Sequence, residues 1–267
     1  MNPTSIHNAA DILFGLESRQ KSGPRLALAL RPENPADGWA VQRRVSDLRM
    51  ELQGRPVTGW KCGLPNAERW AVAALHTALQ AEPLAGESGC ARAAAPAGPD
   101  GGARVEPELA FMLKTSLPAR PEAYTPAEVD AVIGSVHLAI EVLGSRYIDA
   151  IAASGPELMA DSLWHQTLVL GPEVHDLPDL AAEPTLALSI NTAGNPPRLM
   201  TGRHPDGDPR KPLYWLAEFL RTQGMGLEAG QAVITGSFAG AINLPFGEAA
   251  TLVFGDLGQI AIRLEEM

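Results

Sequence analysis

The segment Val136-His137-Leu138-Ala139-Ile140-Glu141-Val142-Leu143-Gly144 constrains the fold more than any other. An apolar run this unbroken does not alternate as a half-solvated strand would. It marks a strand covered on both faces, and so requires further layers of structure on either side. Glu141 stands in the middle of that run. A carboxylate buried without a partner costs several kcal/mol or gives up its charge. A salt bridge to Arg146 would satisfy it, and so would a bound cation.

The rest of the chain supplies the layers. At 267 residues it is long enough for one large domain, or one domain with a small extra piece. The opening third reads as helical. Within residues 5–18, Ile6, Ala9, Ala10, Leu13 and Leu16 recur at the 3.6-residue period. Asp37 is placed to cap a second helix that buries Val41, Val45, Leu48 and Leu52, and a third is expected over 66–79, after a short strand near 57–62. Residues 81–104 are crowded with Ala, Gly and Pro and end in Pro99-Asp100-Gly101-Gly102, which reads as a surface loop or an active-site lid. Beyond it strands dominate, near 104–113, 136–144, 166–171, 185–191, 232–235, 250–254 and 259–264. Thr125, Pro126 and Glu128 form a capping box that starts one intervening helix. Another is expected from 212 to about 223, burying Leu213, Leu216, Ala217 and Leu220. Helices first and then many strands point to an α+β fold.

Charge and composition exclude several roles. A net charge of −10 lacks the basic face that displaces counterions from nucleic acid. No apolar run approaches the ~20 residues that cross a bilayer, so no membrane role is expected. Cys62 and Cys90 make no disulfide framework, and no signal-peptide pattern opens the chain, so the expected compartment is the cytoplasm. Walker A, H-E-x-x-H, dinucleotide-fingerprint and G-x-S-x-G patterns are absent.

What remains is a set of carboxylates with a lysine. In Val105-Glu106-Pro107-Glu108-Leu109-Ala110-Phe111, Pro107 disfavours a helix interior. On a strand Glu106 and Glu108 would point to one face. Alone, that pattern describes a solvated strand face; beside Glu141 it offers three oxygen ligands to a hard ion such as Mg2+ or Mn2+. Lys61, in Gly59-Trp60-Lys61-Cys62-Gly63, either reaches solvent over an apolar stem or, beside a cation, has a lowered pKa suited to proton transfer. Thr235-Gly236-Ser237 ends an apolar strand where hydroxyls and loop N–H groups could hold a carboxylate.

Taken in order, Trp60-Lys61-Cys62-Gly63-Leu64, Arg104 to Ala110, Ala139 to Arg146, Gly207-Asp208-Pro209 leading into Trp215-Leu216-Ala217, and Ile234-Thr235-Gly236-Ser237 resemble the 2-keto-4-pentenoate hydratases and 4-oxalocrotonate decarboxylases of the fumarylacetoacetate hydrolase superfamily. The resemblance runs from about residue 40 to the C-terminus. It implies a mixed β-roll core of the fumarylacetoacetate hydrolase C-terminal type (57–267), a smaller helical N-terminal part (1–56) and a homo-oligomer, alone or complexed with a related decarboxylase or hydratase. It implies Mg2+ or Mn2+ on Glu106, Glu108 and Glu141, with Lys61 as the active-site lysine. Thr235, Ser237 and Arg146 become the substrate-binding set for a 2-oxo or 2-hydroxy carboxylic acid. The implied activity is that of a lyase of aromatic-compound catabolism, a hydratase adding water to a 2-hydroxy-dienoate or 2-oxo-enoate. The alternatives are a 4-oxalocrotonate-type decarboxylase, an acylpyruvate-type C–C hydrolase and a non-catalytic partner subunit. Two departures bear on the reaction. His76-Thr77-Ala78-Leu79-Gln80-Ala81 lacks the family's acid, and in Asp161-Ser162-Leu163-Trp164-His165 the serine position holds Trp164. Ser162, and His76 or His165 as a proton-transfer group, are the substitutes considered for catalysis, the two histidines being also the candidate bases for the hydrolase; the readier reading of each histidine is structural or exposed.

Overall fold

The computed structural model describes residues 1–66, 69–76, 78–80, 90–98, 100–183 and 185–267. Two helices come first, α1 (Pro3–Ser18) and α2 (Pro35–Gln53). Then follow β1 (Gly59–Asn66), β2 (Arg69–Leu75), β3 (Ala78–Gln80), β4 (Ala91–Ala95) and β5 (Ala103–Leu113). Next are α3 (Pro126–Val132), β6 (Ile133–Leu143), α4 (Gly155–Ala160), β7 (His165–Glu173), β8 (Thr185–Thr192) and β9 (Arg198–Arg203). The chain closes with α5 (Lys211–Thr222), β10 (Ala232–Ile234), β11 (Ile242–Leu244), β12 (Ala249–Phe254) and β13 (Gln259–Glu266).

Among the described residues the strands form two mixed sheets. The larger runs β2-β1-β10-β5-β6-β7-β3, with β11 on the far end of β5, and the smaller runs β4-β13-β12-β8-β9. Leu138, Ile140 and Val142 from β6 and Val105 and Leu109 from β5 pack against Ile190, Leu252 and Ile262 of the smaller sheet. The opposite face of β6 carries Ala139 and Glu141, beside Ala110, Leu168 and Ile234. The strand is thus covered on both sides, as its apolar run requires, and the architecture is the expected α+β roll.

The helices cover the other face and ends. The capping box of Thr125 and Glu128 starts α3 as its sequence dictates, and α5 buries Leu213, Leu216, Ala217 and Leu220. Gln42 of α2 ties the N-terminal helices to β2 and α4, its amide donating to the Val72 and Met159 carbonyls and accepting from the Ala74 N–H.

Several local expectations are corrected. The helix expected over 66–79 is replaced by β2 and β3, because β2 pairs antiparallel with β1 from Gly59↔Leu75 to Gly63↔Ala71. Tertiary pairing here overrides the helical leaning of its alanines. Asn34, not Asp37, caps α2, its side chain accepting the Asp37 N–H at 3.0 Å, and Leu52 is exposed rather than buried. Part of the expected 81–104 loop is β4, paired parallel with β13, and residues 81–89 of the suggested lid lie outside the described residues.

Candidate metal centre and active-site cleft

Strand register assembles the carboxylates. In the antiparallel β5–β6 pair, Glu106 faces Glu141 directly, and Glu108 faces Ala139 two residues along. Residues two apart on a strand share a face, so all three glutamates project to one side. One oxygen from each lies within 4.8 Å of the others. Glu108 and Glu141 are buried, while Glu106 is partly open.

Lys61 arrives from β1, which is joined to β5 through β10. That neighbouring approach requires a glycine: a Cβ on Gly59 would lie 2.2 Å from the Ala232 carbonyl oxygen. The Lys61 ammonium donates to Glu141 Oε2 at 2.7 Å and to the Leu163 carbonyl at 3.1 Å, and stands 3.9 Å from Glu106 Oε2. His165 Nδ1 holds the other Glu141 oxygen at 2.8 Å. Glu108 Oε2 accepts the Gly236 N–H at 2.8 Å. Gly236 sits at φ +137°, where a side chain would also crowd Pro205.

The electrostatics follow from burial and crowding. Burial, then Glu141 and Glu106, push Glu108 well above the usual carboxylate range. Burial raises Glu106 to about 7, against the pull of Lys61. Glu141 is also penalised by burial, but Lys61 and His165 bring it down to about 2. Burial alone would lower Lys61, but Glu141, Glu106 and Glu108 outweigh it and hold the ammonium above its ordinary value. The lowered lysine considered above depends on a bound cation; the chain's own carboxylates act the other way. Two of three carboxyls held toward the neutral form mark a cluster with too little positive charge nearby. An all-oxygen donor set of this kind fits a hard divalent cation such as Mg2+, with open positions left for ligand oxygens.

The cluster opens into a cleft of about 700 Å3. Lys61, Glu106, Glu108, Thr235 and Ser237 line it, with Met200, Phe238 and Trp164 as apolar walls and Arg203 as its second cation. The Thr235 hydroxyl lies 3.5 Å from His204 Nε2, whereas the Ser237 hydroxyl already donates toward the Pro107 and Gly240 carbonyls. Another wall is strained. Ser162, Leu163 and Trp164 have consecutive φ values of +56°, +52° and +64°, a left-handed turn that costs L-residues roughly 1–2 kcal/mol each. The turn aims the Leu163 carbonyl at Lys61 and puts the Trp164 ring 5.7 Å from the Arg104 guanidinium.

Arg146, His76 and Ser162, singled out in the sequence, are not brought to this cleft. Arg146 neither binds Glu141 nor faces the cleft, because Asp161 holds its Nε and it donates to the His165 and Asp161 carbonyls. His76 follows the end of β2 and turns toward α2, where Ser46 Oγ and the Arg55 and Pro56 carbonyls occupy both ring nitrogens. Ser162 is buried in the left-handed turn and does not line the cleft. Conversely, the Leu163 carbonyl and Arg203 had no local sequence signal. His165, read in the sequence either as a proton-transfer group or as structural, holds a Glu141 oxygen.

The fold is a mixed α+β roll of two sheets, with the carboxylate cluster on one face of the larger. No family model matches the chain. Among named relatives, a 4-oxalocrotonate decarboxylase of Pseudomonas sp is 28% identical over 158 residues, 59% of this chain and 59% of its own length. The 2-hydroxyhexa-2,4-dienoate hydratase of Comamonas testosteroni is 28% identical over 165 residues, 61% of this chain and 60% of its own. These two matches therefore span about three fifths of the relatives' lengths. In structure, 4-oxalocrotonate decarboxylase from Pseudomonas putida G7, complexed with magnesium and adipate, superposes with a TM-score of 0.76 at 19% identity, covering 99% of this chain and 98% of that one. The chain is thus a homologue of proteins named decarboxylase and hydratase, and it shares the fold of the decarboxylase.

Proposed function

We propose that the chain is a Mg2+- or Mn2+-dependent lyase, a hydratase that adds water to a 2-hydroxy-dienoate or its 2-oxo-enoate form in the breakdown of aromatic compounds. The observation that carries this reading is the single-face cluster of Glu106, Glu108 and Glu141 with the Lys61 ammonium 2.7 Å from Glu141. The hydratase and decarboxylase names of the relatives support it.

Glu106, Glu108 and Glu141 would hold the ion, which when bound supplies a Lewis acid for the oxygen at C2. The residues of the chain do the rest. Thr235 holds the substrate carboxylate. Lys61, kept as an ammonium by its carboxylates, donates a proton to the carbon chain as the C2 hydroxyl gives up its own, converting the 2-hydroxy-2,4-diene to a 2-oxo-3-enoate. Water then adds its oxygen at C4 and a proton at C3, so that one water is consumed and no redox partner is needed. His165 fixes Glu141, and the Leu163 carbonyl fixes the lysine, so that neither reorganises during the proton transfer. We further propose that the chain works in the cytoplasm as a homo-oligomer.

The test is turnover of 2-hydroxypenta-2,4-dienoate, followed by loss of its ultraviolet absorbance with and without Mg2+ or Mn2+. Metal-dependent loss with a 4-hydroxy-2-oxopentanoate product is the expected result. Absence of loss in metal-loaded protein rejects the hydratase and leaves the decarboxylase or a non-catalytic partner subunit. Arg203 favours the decarboxylase as the second reading. It lines the cleft, and its guanidinium has no ion-pair partner among the described residues, so it suits the second carboxylate of a 2-oxo-dicarboxylate. On that reading a 2-oxo-dicarboxylate releases CO2, and Arg203→Gln raises KM for it with little change in kcat. The hydrolase reading loses support, because neither His76 nor His165 lines the cleft to activate water.

A further inference from the structure

Beside the cleft a second cavity of about 400 Å3 opens around the end of β6 and the loop that follows it. Its walls include Pro96, Leu143, Ile148 and Ile151, with Arg104 as cation and Asp149 as carboxylate. Trp164 lines both this cavity and the cleft.

Strand period sets the two cavities end to end. Glu108, Glu106 and Arg104 alternate along β5 and so share one face, and Glu141 and Leu143 share it on β6. The glutamates form the cluster at the cleft, whereas Arg104 and Leu143 line the second cavity. Arg104 is therefore only two residues, ~7 Å, beyond Glu106 along the strand. Its charge reaches that carboxyl and draws it downward.

Trp164 stands at the junction. Its carbonyl accepts the Gly144 N–H at 2.7 Å, and the left-handed turn fixes its backbone at φ +64°. The half-buried ring lies 5.7 Å from the Arg104 guanidinium. Arg104 makes no ion pair with Asp149 or another carboxylate among the described residues, so the ring is the partner that covers it.

The direction of a bound acid follows from the same register. Thr235 comes next after Ile234, which faces Ala110, and the Gly236 N–H reaches Glu108. A carboxylate held at Thr235 sits at the Glu108 end of the cluster, and the rest of the acid points past Glu106 toward Trp164. Arg203 lines the cleft but not the second cavity, so it stays on the near side of the ring.

We propose that Trp164 determines specificity for substrate length, its ring closing the cleft beyond Glu106 so that short 2-oxo or 2-hydroxy acids fit and chains long enough to reach Arg104 do not. This rests on the reading of the cleft as the site of such an acid, and it adds no step to the reaction.

The test is calorimetric titration of the full-length, Mg2+-loaded protein with three saturated acids that cannot be hydrated. They are 2-oxopentanoate, 2-oxooctanoate and 2-oxooctanedioate, the last carrying a carboxylate at its far end. The wild type is expected to bind 2-oxopentanoate at least about tenfold more tightly than either longer acid. In Trp164→Ala that preference should fall below about threefold. There the diacid should also bind about tenfold more tightly than 2-oxooctanoate, because its far carboxylate pairs with Arg104. Adding Arg104→Gln to Trp164→Ala should remove the advantage of the diacid and keep the tolerance of length. Trp164→Leu, a milder change, should show an intermediate preference and carries the test if the alanine variant does not fold. Damage to the fold does not create affinity for long acids. A wild type indifferent to length, or a preference unchanged in the folded variants, overturns the role of Trp164 and leaves the acid site standing. A diacid advantage that survives Arg104→Gln assigns the far carboxylate to Arg203 and overturns the direction given to the chain. A wild type that binds none of the three acids rejects the acid site, and the role of Trp164 with it.

Discussion

Glu106 is the residue on which metal affinity turns. It is the most open of the three carboxylates and is held at about 7 by burial. A cation must therefore displace its proton, and Mg2+ affinity is expected to rise as pH goes from 6 to 8, with protons released on binding. In the metal-free chain the sign reverses: a carboxyl raised above its unfolded value loses stability as pH climbs from about 4.5 to about 7. Thermal melts across that window, with and without Mg2+, check both statements. Glu106→Gln removes a ligand and should weaken Mg2+ at least about tenfold while abolishing metal-dependent turnover; a fully active variant would sink the metal assignment. Lys61→Met should keep the metal and lose roughly 10²–10⁴ in kcat. Ser162→Gly relieves a left-handed residue, so its stability should change by less than about 1 kcal/mol with turnover kept within a few-fold. A hundredfold loss would instead make Ser162 catalytic. The carboxylates were legible in the sequence because strand period and an apolar context expose them. The Leu163 carbonyl was not, because it is a backbone atom aimed by a turn that no sequence pattern announces.

At the level of elements, the close approach of β1 to β10 and the anchoring of α2 by His76 are each open to one decisive change. Gly59→Ala would force a methyl group against the Ala232 carbonyl, separating the strand that carries Lys61; loss of cooperative folding by circular dichroism is the expected outcome. Burial, then Arg49, lowers His76 to about 4 from 6.5. The unfolded chain therefore binds the extra proton first. Stability is complete above pH 6.5 and falls as pH drops toward 4, by ~3 kcal/mol from this residue. Denaturant titrations at pH 7 and pH 4.5 should show that slope, and His76→Gln should flatten it. The same stretch explains the largest misreading of the sequence. Ala71, Ala73 and Ala74 look helical in isolation, and only the pairing with β1, supplied by residues outside the window, makes them a strand. The N-terminal and α5 helices were legible because one apolar stripe packs each of them.

For the whole molecule, two sheets share a core, and the ion would be gripped by the two central strands of the larger one. Mg2+ at a hundredfold excess over its Kd should therefore add about 2.7 kcal/mol to global stability, not only to local order, as a shift of the single melting transition. The direct opposition of Glu106 and Glu141 also says where this chain can change over generations. Whole residues can be gained or lost between the end of β5 and the start of α3 without touching the chemistry, since that connection does not set the pairing. One residue inserted inside β5 or β6 would turn a glutamate toward the inter-sheet core and leave a folded roll with no ion. Length variation is thus open to the turns and closed to the two central strands.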